Sequence, residues 1–184
     1  MRVRNLWLLR HAQPLIKKGI CYGQLDVPAD LAATKTCAKE IAKVLPKRIN
    51  VVTSPLQRCE LLIQVLIGLE PDLIRKNDKK LQEMHFGQWE GRAWADIPEA
   101  ELTAWTDDFE HYRAGRTGES VAQFMARVAA AIDELDAAKD THWVTHAGVI
   151  RAATLIAQGL RHIDRADQWP VEVPSYGQWC KLSF

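Results

Sequence analysis

Asn5-Leu6-Trp7-Leu8-Leu9-Arg10-His11-Ala12-Gln13-Pro14 is the stretch whose reading decides the fold. Four consecutive apolar residues, Leu6 to Leu9, read as a strand covered on both faces, as strands inside a parallel sheet are. The strand must end where Arg10, His11, Ala12 and Pro14 follow. Open α/β sheets bind their ligands at the carboxyl ends of such strands. An arginine fork suits phosphate or carboxylate oxygens, and a neutral histidine is a usable nucleophile near pH 7. The same pair could equally be a solubilising arginine and a histidine satisfied at the core edge, and this stretch alone does not choose. Arg10 and His11 are adjacent, so a regular strand would point them to opposite faces. Both reach one ligand only if the pleat breaks, and Ala12 and Pro14 favour a break.

Composition narrows the function classes. The 184 residues suit one domain, 1–184, and 47% apolar residues can build its core. Lys+Arg number 24 and Asp+Glu 23, a net charge of +1, so no bulk field recruits nucleic acid or a membrane. Any anionic ligand must be attracted locally. Cys21, Cys37, Cys59 and Cys180 are scattered without CxxC spacing, which fits reduced thiols in the cytoplasm better than disulfides or zinc. The apolar run behind Met1-Arg2-Val3-Arg4 is too short for a signal peptide, and Leu61 to Leu69 is too interrupted to span a bilayer. A soluble cytoplasmic protein is the expectation.

Outward from the opening strand, Lys17 to Pro28 reads as an ordered loop crossing the strand end. Leu31, Thr34, Ala38, Ile41 and Leu45 predict an amphipathic helix ended by Pro46. Asn50 to Thr53 is a second short buried strand. Ser54-Pro55-Leu56-Gln57 predicts a helix start, with Ser54 and Gln57 as a capping box and free N–H groups at the end of the helix. From about 72 to 117 the chain is irregular, rich in charge and Trp, with short helical pieces broken by Pro98. Ser120 and Gln123 form a second capping box before an apolar stripe from Val121 to Leu135. His142 to Thr145 is another strand, leading through His146 into a helix from about Val149 to Leu160. Tyr176 to Phe184 reads as an edge strand. The alternation predicts an α/β fold, a three-layer α/β/α sandwich around a mainly parallel central sheet, with an irregular helical insertion at about 72–117.

Three predicted strands therefore end in a phosphate-ligand type: Leu9 into Arg10 and His11, Thr53 into the turn bearing Arg58, and Thr145 into His146. In a parallel sheet these ends share one edge. Arg58 in the first turn of a helix opposes the helix dipole, an arrangement that makes sense when an anion is bound. Glu83 on a loop would ordinarily be a solvated charge. His85, His111, His142 and His162 read as structural or surface groups, and Trp89, Trp94 and Trp105 as packing residues rather than a pocket roof.

Leu8-Leu9-Arg10-His11-Ala12 is similar to the Arg-His-Gly signature of the histidine phosphatase superfamily, which includes the cofactor-dependent phosphoglycerate mutases. The likeness continues in order through Thr53 to Arg58, Leu81 to Gly91, Gly118-Glu119-Ser120 and Val144 to Gly148. The resemblance implies that His11 attacks phosphorus and carries a transient phosphohistidine. It implies that Arg10, Arg58 and His146 bind the non-bridging oxygens, His146 as a donor, and that Glu83 serves as acid and then base. Gln13, Tyr22, Gly23 and Ala147 would bind substrate, a small-molecule phosphate ester; a homodimer is compatible with it. No cofactor and no metal is called for, since the arginines supply the positive charge. Gly19 to Pro28 resembles the corresponding loop of α-ribazole-5′-phosphate phosphatases. The expected activity is a phosphomonoesterase on a small metabolite; mutase-type phosphoryl transfer and a weakly active phosphate-binding module are the alternatives. Ala12 stands where the family has glycine, and a methyl group where backbone approaches the phosphate could narrow the site or weaken turnover; no catalytic group is lost, so an active enzyme is expected. Pro14 stands where many members have a hydroxyl residue.

Overall fold

The computed structural model describes residues 5–45, 49–136 and 139–183. The chain runs β1 (Asn5–Arg10), α1 (Leu31–Ala42), β2 (Asn50–Thr53), α2 (Gln57–Leu69), β3 (Ile74–Asn77), α3 (Glu99–Asp107), α4 (Val121–Asp133), β4 (Thr141–Thr145), α5 (Ala147–Ala157) and β5 (Trp179–Ser183). The sheet order is β3-β2-β4-β1-β5, parallel throughout except for β5, which runs antiparallel to β1. Arg10 lies opposite Thr145, and Val144 opposite Thr53. The carboxyl ends of β1, β4 and β2 therefore stand side by side at the centre of the sheet.

The apolar run of β1 is divided between two cores. Leu6 and Leu8 face α4 and α5 and pack with Phe124, Val128, Ile132 and Ile150. Leu9 faces the other way, into Ala38, Ile41, Leu62 and Ile63 of α1 and α2. Both sheet faces are covered, so the strands read as continuous apolar runs, as buried parallel strands do. This is the three-layer α/β/α sandwich that the alternation predicts. No helix among the described residues is long and apolar enough to cross a membrane.

Three local readings need correction. The capping box at Ser54 and Gln57 does not form: α2 begins at Gln57, whose N–H donates to Asp26 Oδ1 at 2.8 Å while its side-chain amide donates to the Asp26 carbonyl. A residue 31 positions away thus caps the helix, and one N–H read as free is already engaged. The second box does form, with Ser120 Oγ accepting from Gln123 N and Gln123 Oε1 from Ser120 N. β3 falls inside the stretch read as irregular; all four of its residues are exposed at the sheet edge, so no apolar periodicity marks it. Pro46, expected to end α1, lies outside the described residues, as does Phe184; the helix stops at Ala42.

The middle segment is held by an aromatic cluster in which Trp89 is fully buried, stacks on Tyr112 and donates its Nε1–H to Glu101 at 2.7 Å. Trp94 and Trp105 lie against Phe86 with ring centroids at 5.4 and 6.2 Å.

Candidate active site

β1 ends at Arg10, and the next residue leaves the ladder. His11 N still donates to the Thr145 carbonyl, but its ring turns back so that Nδ1 lies 2.7 Å from its neighbour's carbonyl, Ala12 O. A carbonyl can only accept, so Nδ1 holds the ring proton and Nε2 is left with a lone pair. The side chain is 2% exposed. Burial first, and then the Arg58 charge, push its pKa down to about 3, against the opposing hydrogen bond to Ala12. His11 is therefore a neutral imidazole at physiological pH, with its free nitrogen available.

His146 is the N-cap of α5 and fully buried, its ring centroid 5.2 Å from that of His11. Its Nδ1 accepts from Arg58 Nε at 3.2 Å, so its proton sits on Nε2, which donates to Ser54 Oγ at 2.8 Å. Burial, then Arg58, hold its pKa well below 6.5. The donor that the resemblance directs at phosphate is thus engaged with Ser54 in this structure.

Arg58 is fully buried, not a surface residue of the helix. Its terminal nitrogens donate to the carbonyls of Leu25 at 3.1 Å and Gly23 at 2.7 Å. Arg10 donates to the Pro174 carbonyl at 2.9 Å and lies 4.0 Å over the Tyr176 ring, with Nε buried and unpartnered among the described residues. No described carboxylate forms an ion pair with either arginine. A guanidinium cannot shed its charge, and burying it without a counter-charge is costly. A bound anion would offset both.

Glu83 reaches the site from the loop after β3. Its Oε1 accepts from its neighbour's Met84 N, and its Oε2 accepts from Gly148 N in the first turn of α5, each at 3.0 Å. This seat exists because Gly148 has no side chain: a Cβ there would collide with Glu83 Oε1.

A cavity of about 150 Å³ brings Arg10, His11, Arg58, Glu83, Tyr22 and Ala147 together, walled by Phe86 and Trp94. Trp94 therefore does form part of the pocket, while Trp89 is core. Gln13 is placed elsewhere, in a neighbouring cavity of about 350 Å³ with Lys17 and Lys18, and Tyr22 is the wall between the two. Gly23 touches the site through its carbonyl, and its missing side chain lets the loop pack against Met84 and Phe86. Beyond Glu83 and Phe86 opens a third cavity, about 300 Å³, faced by Trp105, Phe109, Trp169 and Arg151. Ala12 does not line the 150 Å³ cavity; it is buried in the core beneath α1 and α2. Its methyl group therefore belongs to the core and not to the wall of that cavity. Among the described residues no three His, Cys, Asp or Glu side chains gather as a metal site requires.

Three contributors escaped the sequence reading. Tyr176 lies under the Arg10 guanidinium, packs at a tilt against the His11 ring at 5.6 Å, and bonds Tyr22 through the hydroxyls at 2.6 Å. Its signal was topological: an antiparallel edge strand that pairs Trp179 with Leu9 must enter past the carboxyl end of β1. Ser54 fixes the His146 tautomer, and Gly148 gives Glu83 its seat.

Comparison with known proteins bears on the family and the fold. The family model of the histidine phosphatase superfamily (branch 1) matches residues 6–184. A glucosyl-3-phosphoglycerate phosphatase of Mycolicibacterium vanbaalenii is 34% identical over 190 residues, covering 93% of this chain and 80% of the relative. The solved structure of a mycobacterial glucosyl-3-phosphoglycerate phosphatase superposes with a TM-score of 0.80 at 26% identity, covering 99% of this chain and 91% of the other. A solved protein of Thermus thermophilus follows at 0.72 and 27% identity, covering 96% and 92%. With the family model matched from residue 6 to 184 and the fold matched over nearly the whole length, the chain belongs to the histidine phosphatase superfamily.

Proposed function

We propose that this protein is a phosphomonoesterase that hydrolyses a small phosphorylated metabolite through a phosphohistidine on His11. The observation that carries the reading is a neutral His11, its Nδ1 proton tied to Ala12, beside two arginines without carboxylate partners among the described residues. Nε2 attacks phosphorus as the bond to the ester oxygen breaks, and Glu83 gives its proton to the departing alkoxide. Water then attacks the phosphohistidine, Glu83 takes the water's proton, and the P–N bond breaks to release phosphate and a neutral imidazole. Arg10 and Arg58 hold the non-bridging oxygens in line and stabilise the charge in transit. His146 joins them when its Nε2–H turns from Ser54 to the phosphate. Tyr22 and Ala147 border the ester; Gly23 acts through Arg58, and Gln13 contacts only a substrate long enough to pass Tyr22. A cytoplasmic setting suits four unpaired cysteines.

The named activity of the mycobacterial relatives supports glucosyl-3-phosphoglycerate as the first substrate to try. The 300 Å³ cavity supports it independently, since Trp105, Phe109 and Trp169 offer faces for a ring and Arg151 a cation for a carboxylate. α-Ribazole 5′-phosphate is the second reading, on the strength of the Gly19 to Pro28 loop. A kinetic panel of these two with phosphoserine, 3-phosphoglycerate and p-nitrophenyl phosphate, joined to a search for acid-labile phosphate on His11, tests the proposal. Phosphate release with a labile His11 adduct is the expected outcome. Interconversion of phosphoglycerates without phosphate release would make the enzyme a mutase, and neither adduct nor turnover would leave a phosphate-binding module.

A further inference from the structure

The residues from Leu81 to His85 carry the proposed acid but belong to no helix or strand beyond the short turn that ends at Leu81. Their carbonyl groups need partners from elsewhere. One side chain supplies two of them, Gln82 and Glu83, together with Lys80 just before the stretch. Arg127 of α4 donates through one terminal nitrogen to Lys80 O at 2.8 Å and Gln82 O at 2.7 Å, and through the other to Glu83 O at 2.9 Å. The remaining two bonds are bidentate to Glu119, at 2.6 Å from Nε and 2.8 Å from the same nitrogen that holds Glu83. A guanidinium has five N–H donors, and all five are used. The group lies over the Phe124 ring at 4.6 Å, which fixes its plane. Glu119 continues the clasp: Oε2 accepts from His85 N at 2.9 Å, and its own N–H donates to His85 O at 2.8 Å.

We infer that Arg127, oriented by Glu119, is a positioning residue that sets where the Glu83 carboxyl group stands relative to the leaving oxygen. The inference rests on the reading of Glu83 as the acid. With no donor left over, Arg127 has nothing to offer a substrate, so its contribution passes through the backbone of the Glu83 segment. The side chain of Glu83 is located from the opposite side by Gly148 N, so the acid is fixed between α4 and α5. Lysine cannot replace the arginine, since one ammonium cannot span three carbonyls and a carboxylate at these separations.

The test compares β-glycerol phosphate, whose alkoxide needs a proton to leave, with p-nitrophenyl phosphate, whose phenolate does not. In Arg127→Lys, kcat for the alkyl ester is expected to fall by about 10- to 100-fold with KM little changed, while the aryl ester loses less than about threefold. In a Glu83→Gln background the same substitution should leave the alkyl-to-aryl ratio where Glu83→Gln put it. Glu119→Gln, close in shape to the native side chain, should shift the ratio in the same direction and keeps the test open if Arg127→Lys fails to fold. Equal losses on both esters, or full additivity with Glu83→Gln, would make the clasp structural only and overturn the inference. If Glu83→Gln itself treats the esters alike, or neither ester is hydrolysed by the unaltered protein, the acid reading falls and the inference with it.

Discussion

The phosphate side of the site and the acid side are held by different means. Arg10, His11 and His146 stand at the ends of adjacent strands, β1 and β4, and Arg58 enters just beyond a third, β2. Their positions follow from sheet register, which many backbone hydrogen bonds share. Glu83 stands on an irregular segment, and its place depends on a few single contacts: Gly148 N, Gln24 Nε2 and the Arg127 guanidinium. A shared ladder tolerates the loss of any one side chain, whereas a segment held by single bonds does not. The two sides should therefore fail differently when altered.

The largest effect lies on the phosphate side and is purely chemical. His11→Ala removes the nucleophile but leaves β1 and its neighbours intact. Turnover of every phosphate ester should fall by about 10⁴-fold or more, and no acid-labile phosphate should form on the protein. The circular dichroism spectrum should be unchanged. Substantial remaining turnover would assign the attack to another group.

The acid side should break through a residue with no chemistry of its own. Gly148→Ala puts a methyl group where Glu83 Oε1 now lies, so the carboxylate must leave its seat while His11 and the arginines keep theirs. Alkyl esters should lose about 10²-fold in kcat and p-nitrophenyl phosphate less than about tenfold. Equal losses would show that the distortion spreads to the strand ends, and the distinction between the two sides would not hold.

The same division explains what was legible in the sequence. Leu6 to Leu9, Asn50 to Thr53 and His142 to Thr145 announce themselves as buried strands, and parallel topology alone then gathers Arg10, Arg58 and His146 on one edge. Glu83 has no such geometry and became visible only through family likeness. Of the partners that hold it, Glu119 and Gly148 lay inside likeness blocks without a visible role, and Arg127 carried no signal: it lies on an amphipathic helix with Glu119 just before it, where a charged pair reads as solvated surface. Asp26 capping α2 was hidden for a related reason, since a contact across 31 residues leaves no periodicity. Exposed β3 and Tyr176 depend on strand order, which local pattern does not encode.

A third contrast is electrostatic. The sheet side buries His11, His142 and His146 as neutral rings, all with pKa values below 6.5 and each for burial first. His142 is pushed down to about 4, stacks on Trp7, and has neither ring nitrogen hydrogen-bonded among the described residues. Because its folded value lies below the unfolded 6.5, the unfolded chain binds an extra proton between about pH 4 and 6.5. Its contribution to stability is whole above 6.5 and drains away as pH falls through that window. His142→Phe keeps the stacking ring and removes both the proton and the unpartnered nitrogens. Denaturant titration should show a gain of about 1 kcal/mol at about pH 8 and a larger one at about pH 5. A gain independent of pH would mean that folding does not shift the titration of His142.

The smallest effect is expected at Ala12, where likeness to the family and the structure point in opposite directions. Family resemblance makes its methyl group an obstruction at the phosphate, so glycine should raise turnover. In the structure the methyl belongs to the core with Leu9, Ala38 and Cys59, and what faces His11 is the Ala12 carbonyl, which glycine would retain. Ala12→Gly should therefore lower stability by about 1 kcal/mol, from lost burial and added backbone freedom in the unfolded chain. It should leave kcat within about twofold, because the hydrogen bond that fixes the His11 tautomer is made by main chain. A rise of about tenfold or more, measured on the same ester with matched fractions of folded protein, would return the methyl group to the phosphate side of the site.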